Sequence, residues 1–151
     1  MFKYVSTKTY PNLGPVCYRH WRAGSHCNLL HGYALTFHFE FGANELDVRN
    51  WVVDFGGLKD LKYKLEEWFD HTLLLAADDP EFETLNNLGK KNLAKVIVVE
   101  KTGCEGIADF LYDYVNDQYL PTFGYGNRVW CTKVEVREHG NNSAMRVYTD
   151  G

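Results

Sequence analysis

The chain has 151 residues, of which 45% are hydrophobic, 24% charged and 15% aromatic. That length fits one domain spanning residues 1–151, and the composition excludes wholesale disorder. Sixteen basic against twenty acidic residues leave a formal charge of −4, so there is no basic surface for a nucleic-acid backbone. No apolar run approaches the ~18 residues of a membrane span, and the N-terminus has no signal-peptide core. Cys17, Cys27, Cys104 and Cys131 show neither CxxC spacing nor a disulfide framework, so the expectation is a cytoplasmic protein with free thiols.

Residues 33–41 alternate, with Tyr33, Leu35, Phe37, Phe39 and Phe41 on one face and Ala34, Thr36, His38 and Glu40 on the other. Period two over nine residues predicts a half-buried strand, with His31 in register with its apolar face and His38 opposed to it. Residues 50–54 read as a short buried strand end. Leu58, Leu61, Leu65 and Trp68 then recur at helical spacing, predicting a helix from Asp54 to about Phe69. Asp79-Pro80 reads as the start of a short helix ending near Gly89. Val96 to Val99 suit a short strand. Thr102 and Glu105 have capping-box spacing ahead of Ile107, Phe110, Leu111, Tyr114 and Val115, which predicts a second long helix ending before Pro121. Residues 128–138 alternate again, with Trp130, Thr132, Val134, Val136 and Glu138 on one face. Antiparallel pairing with helices on one side makes this an α+β chain.

Residues 17–33 hold three of the six histidines and two of the four cysteines. Imidazole with thiolate suits zinc, and His20, His26, Cys27 and His31 are candidates, although the spacing matches no zinc-finger pattern. The same residues also suit a polar loop between strands. Asp70-His71 could pair as a general acid/base or simply close a helix. Glu138 ends a mostly apolar face, where a carboxylate needs donors such as two adjacent ligand N–H groups, unless the strand end frays into water. Arg19, Arg22, Lys90 and Lys91 could receive a phosphate.

Four ordered stretches resemble the family of 6-pyruvoyltetrahydropterin and 6-carboxytetrahydropterin synthases. They are Cys27 four residues ahead of His31-Gly32-Tyr33, then residues 51–59 (WVVDFGGLK), then Phe69-Asp70-His71, and finally Val136-Arg137-Glu138. The resemblance implies a tunnelling fold, a four-stranded antiparallel sheet with helices packed on one face. It also implies a homo-oligomer, a trimer or hexamer with sites at subunit interfaces. The expected activity is a zinc-dependent lyase acting on 7,8-dihydroneopterin triphosphate. The carboxy branch, which feeds 7-deazaguanine synthesis, is preferred. By motif, Cys27 would transfer a proton, Asp70 and His71 would be the acid/base pair, and Glu138 would anchor the pterin, with Thr102 and Glu105 binding beside it.

The metal ligands implied are His31 with His20 and Tyr33, and here the chain departs from the family. The family has His-Gly-His where this chain has His31-Gly32-Tyr33. The family's first ligand falls at Tyr18 or at His20, depending on a gap. A metal-free pterin- or purine-binding relative without lyase activity is therefore the alternative expectation. A third is an epimerase or aldolase of the same fold.

Overall fold

The computed structural model describes residues 1–150. Its centre is a pair of long antiparallel strands, β1 (Tyr4–Tyr18) and β2 (His31–Ala43), in register from Tyr4 opposite Ala43 to Tyr18 opposite His31. β2 forms as its alternation requires. Leu35, Phe37, Phe39 and Phe41 are fully buried, and His31 and Tyr33 continue the same face where the strand begins.

β1 carries no such pattern. Val5 turns outward while Ser6 and Lys8 are half-buried, and Pro11, Gly14 and Pro15 interrupt the run. Register shifts between Tyr10 and Leu13, and again between Leu13 and Val16, accommodate these residues as bulges. At Gly14 the two strands come so close that a Cβ would stand 2.8 Å from the Tyr33 carbonyl oxygen. Beyond the bulges, Val16 and Tyr18 return to the core.

The sheet has six strands in the order β4-β3-β1-β2-β5-β6, not the four expected. β5 (Val129–His139) pairs antiparallel with β2, and β6 (Asn142–Val147) with β5. β3 (Thr72–Ala76) runs parallel to both β1 and β4 (Lys95–Val99), so the sheet is mixed. All five residues of β3 are buried, as expected for a strand covered on both faces.

Helix α1 (Lys59–Phe69) buries Leu61, Leu65 and Phe69, after a 3₁₀ turn at Phe55–Leu58 whose Gly56 N–H is capped by Asp54 at 3.0 Å. Helix α3 (Gly103–Tyr114) buries Ile107 and Leu111 in the same core as Phe37 and Phe39. Helix α2 (Phe82–Lys90) lies elsewhere. Its Leu85 packs with Leu73 and Leu75, whereas Leu74 joins the main core, so α2 covers the opposite face of β3. Helices therefore occupy both faces at that end of the sheet rather than one.

Three local expectations also change. Residues 50–54 form no strand but an irregular loop after a turn in which Asp47 accepts from the Arg49 and Trp51 amides, although Val52 and Val53 are buried. Thr102 stands at the N-cap of α3 but makes no capping bond there. The helical path does not stop before Pro121: it continues as a π-helical turn at Val115–Tyr119 and a short helix α4 (Leu120–Thr122). Among the described residues no helix is long and apolar enough to cross a membrane.

Candidate functional site

Where β1 ends and β2 begins, three rings from the core face meet. Tyr18 and His31 lie with centroids 5.3 Å apart, His31 and Tyr33 5.4 Å, and Tyr18 and Tyr33 6.0 Å. His31 Nδ1 bonds the Leu29 carbonyl at 2.7 Å, which fixes the proton on Nδ1 and leaves Nε2 as the acceptor. The Tyr18 side chain is a core residue at 2% exposure, yet its hydroxyl has no hydrogen-bond partner. Among the described residues it is the only buried side-chain N or O atom left so. An unsatisfied group of this kind costs about 1–3 kcal/mol unless a ligand or water completes it.

Glu138 arrives from β5. The alternation through Trp130 breaks at a register shift opposite Glu40 and Phe41, so Val129 and Cys131 are buried before the shift and Val134 and Val136 after it. Glu138 thus shares the inward face of Val134 and Val136, as expected, but Trp130 and Thr132 do not. The Cys104 thiol of α3 donates to Glu138 Oε1 at 3.7 Å. Burial first, and then the Glu138 carboxylate, push the Cys104 thiol up to about 12. Burial and the facing Glu138 carboxylate likewise push the Tyr33 hydroxyl up to about 12, with smaller pushes from Cys27 and Cys104. Burial raises the Tyr18 hydroxyl most, followed by Cys104, Glu138 and Tyr33. One carboxylate is therefore surrounded by protonated O–H and S–H groups.

Cys27 sits in a 3₁₀ turn, His26–Asn28, capped by Ser25. Arg19 holds this loop. Its Nε and Nη2 donate to Asp79 at 2.9 and 3.0 Å, and its Nη1 donates to Asn28 Oδ1 at 2.9 Å. Burial pushes the Asp79 carboxyl up, but the Arg19 guanidinium and the Glu81 amide outweigh it and hold the group below the usual range. Arg22 is likewise paired, with Asp78 at 3.0 Å. Neither arginine is free for a phosphate. The Thr102 hydroxyl donates to the Arg19 carbonyl at 2.8 Å, which explains why it does not cap α3.

His20 is not one of the three rings that meet where β1 ends and β2 begins. It lines a cleft of about 450 Å³ with Trp21, Asp78, Lys101, Thr102 and Glu105, and its Nδ1 would be 3.5 Å from a Cβ on Gly103. Tyr18, rather than His20, packs against His31. Asp70 and His71 are joined to each other, Oδ1 to Nδ1 at 2.7 Å, with His71 held at φ 54° just past α1. His71 is 79% exposed, and Asp70 borders a separate cleft beside Tyr10, Phe55, Lys59, Lys62 and Glu66. Within one chain the pair makes no hydrogen bond to Cys27 among the described residues. His139 is exposed in the β5–β6 turn, where its Nδ1 accepts from the Asn141 amide.

The residues present do not fit a zinc ion. Protein zinc sites draw on Cys, His, Asp and Glu. At the expected position the chain offers one imidazole and two phenols that burial keeps protonated. Among the described residues no group of three His, Cys, Asp or Glu side chains is disposed to hold a metal ion.

Sequence reasoning missed Cys104 and Asp79 as parts of the site and left Tyr18 as a gapped alternative. Cys104 lies one helical residue beyond Gly103, a position that spacing alone does not aim. The signal for Tyr18 was parity with Val16, which becomes visible only once the β1 bulges are placed.

A model of the family described as 6-pyruvoyl tetrahydropterin synthase matches residues 15–148. Among named relatives, the 6-carboxy-5,6,7,8-tetrahydropterin synthase of Aquifex aeolicus is 28% identical over 120 residues, 78% of this chain and 74% of the relative. That of Rickettsia conorii is 43% identical over 56 residues, covering 36% of this chain and only 41% of the relative's length. Among solved structures, an uncharacterized Wolinella succinogenes protein superposes with a TM-score of 0.81 at 21% identity over 97% of this chain and 98% of that one. A catalytic-residue mutant of Plasmodium vivax 6-pyruvoyltetrahydropterin synthase gives 0.67 at 13% identity, over 97% and 100% respectively. At these identities the structural likeness speaks for the fold.

Proposed function

This chain belongs to the 6-pyruvoyl tetrahydropterin synthase family, and on that premise we propose that it is a lyase of the 6-carboxytetrahydropterin synthase type. Its substrate would be 7,8-dihydroneopterin triphosphate and its pathway 7-deazaguanine synthesis. The observation that carries this reading is the inward Glu138 carboxylate, which is bordered by Tyr33 and Cys104 and is in no salt bridge among the described residues. A pterin ring offers adjacent N–H donors that such a carboxylate can accept in a charge-assisted pair.

The remaining roles are those the family resemblance implies. Asp70 accepts from His71 Nδ1–H, so Nε2 is free to take or give a proton. Cys27, on a loop fixed by Arg19 and Asp79, moves a proton at the substrate side chain, and Thr102 and Glu105 border the bound ring. No step is routed through zinc, because the donor set does not fit it. Among the described residues Asp70 and His71 make no hydrogen bond to Cys27 within one chain, which fits a trimer or hexamer whose sites are completed between subunits. The two sheet edges, β4 and β6, support the same arrangement.

The test is incubation of the protein with 7,8-dihydroneopterin triphosphate and water. Products are followed by chromatography for 6-carboxytetrahydropterin, triphosphate and acetaldehyde. Turnover that disappears in Cys27→Ala and His71→Ala supports the assignment; full activity in both variants refutes those roles. The alternative, a pterin-binding relative without lyase activity, is favoured by one observation: Tyr18 and Tyr33 flank the single imidazole. It is distinguished by pterin binding without any product.

A further inference from the structure

We infer that the cleft between β1 and α1 is a polyphosphate subsite, in which Lys8, Lys59 and Lys62 hold the phosphoryl oxygens of a triphosphate. The inference deepens the pterin reading, because the proposed substrate carries such a group, but its first test needs no pterin. The cleft measures about 740 Å³ and runs beside residues 8–14 of β1, a stretch that β3 does not cover, since β3 pairs with β1 only at Val16 and Cys17. Arg19 and Arg22, two of the residues first considered for a phosphate, are held by Asp79 and Asp78. The cleft supplies three cations that are not so held.

Two contacts gather these lysines at one end. The Tyr10 hydroxyl donates to the Leu58 carbonyl at 2.8 Å, which joins the inward face of β1 to the start of α1. Lys8, two residues before Tyr10 on the same face, places its Nζ 5.7 Å from the Tyr10 ring centroid. Lys59 directly follows Leu58, and Lys62 lies three residues further, on the same side of α1. Among the described residues none of the three is in a salt bridge, whereas Lys64 on the same helix is paired with Glu67 at 3.1 Å. Two carboxylates border the other end. They are Glu66, one more turn along α1, and Asp70, which is joined to His71 at 2.7 Å. The chain carries −4 overall, so three lysines lining one cleft run against its net charge.

The chemistry of these groups defines the ligand. An ammonium is a compact charge with three donors, and its bonds to phosphoryl oxygens are charge-assisted. Three ammonium groups at one end of a cleft match several adjacent anionic oxygens, and so a triphosphate better than a single phosphate. The carboxylate end is left to hydroxyl or N–H donors. The same three cations suit the tail of a pterin triphosphate or a free inorganic polyphosphate. In the proposed oligomer the cleft accompanies Asp70 and His71 to the site completed between subunits, with the triphosphate next to the acid/base pair.

The experiment titrates inorganic triphosphate, and monophosphate for comparison, into the full chain by calorimetry at low and at high salt. Triphosphate is expected to bind more tightly than monophosphate and to weaken as salt rises. Each of Lys8→Gln, Lys59→Gln and Lys62→Gln is expected to weaken it about tenfold, for the loss of one charge-assisted hydrogen bond. Glu66→Gln, which removes a carboxylate from the same cleft, is expected to tighten it. Lys64→Gln, which does not line the cleft, should leave it unchanged. All three lysine variants should bind 7,8-dihydroneopterin, which has no phosphate, as wild type does. Inorganic triphosphate is then added to the reaction with 7,8-dihydroneopterin triphosphate: competition assigns the cleft to the substrate's tail, and binding without competition assigns it to a free polyphosphate. No binding of inorganic triphosphate, or equal affinity in wild type and the three lysine variants, overturns the inference even where dihydroneopterin binds. Failure of dihydroneopterin to bind overturns the pterin reading alone, because triphosphate binding is measured without it.

Discussion

Tyr18 and His31 are partners across the β1–β2 ladder, and their rings meet edge to face at 5.3 Å. This contact places a phenol, not a second imidazole, beside the one histidine that the family motif aligns securely. It follows from the two bulges in β1, which return Tyr18 to the core face and leave His20 on the Thr102 side. The site is accordingly a carboxylate and a histidine among hydroxyls and thiols.

The Arg19–Asp79 pair should set the order of the Cys27 loop. The Asp79 side chain is 1% exposed, so removing its charge leaves a guanidinium without its partner. Asp79→Asn is expected to cost about 3 kcal/mol at neutral pH. The Asp79 carboxyl is depressed in the folded chain, so its contribution is present above the ordinary value of about 3.9 and is lost as pH falls through the depressed value. Urea unfolding of wild type and variant should therefore differ at neutral pH and converge in acid. A difference that persists in acid would count against the pair.

Alkali should expose the buried hydroxyls and thiols in the opposite sense. Tyr10, Tyr18, Tyr33 and Tyr119 are all pushed up, chiefly by burial, as are Cys104 and Cys131. Groups raised on folding stabilise fully below their unfolded values, about 8.5 for Cys and about 10 for Tyr, and that stability is lost as pH rises beyond them. Tyrosinate absorbance should show a delayed class of tyrosines that ionises together with unfolding. Ten tyrosines titrating as one ordinary class would contradict the burial described.

If Asp70 and His71 act as the proposed acid/base pair, their loss separates kcat from KM. Asp70→Asn keeps a side chain beside His71 but can present its amide N–H to Nδ1, which favours the wrong tautomer. With 7,8-dihydroneopterin triphosphate, kcat is expected to fall about 10²-fold with KM little changed. A change confined to KM would make the pair a binding element.

Much of the fold was legible where one face is apolar and uninterrupted. β2 could be read from its phenylalanines and α1 from Leu61 and Leu65, because tertiary burial reinforces the local period. β1 was not, since its inward positions include Ser6 and Lys8 and its bulges displace the alternation. β3 was hidden differently: Thr72–Ala76 is apolar on both faces, and a short continuous run has no period to read. For the site, parity set Glu138 on the inward face, and the structure places it there, half-buried beside Cys104. Thr102 was taken for a cap because capping and tertiary hydrogen bonding use the same hydroxyl; only the structure shows that Arg19 receives it.

The most direct measurement is a calorimetric titration of 7,8-dihydroneopterin into wild-type protein and Glu138→Gln, with thermal unfolding recorded for both. The expected result is binding that weakens about tenfold to a hundredfold in the variant, the range for losing charge-assisted hydrogen bonds, with the fold retained. Equal affinity in the two folded proteins, or no binding to wild type, would contradict a pterin site anchored on Glu138.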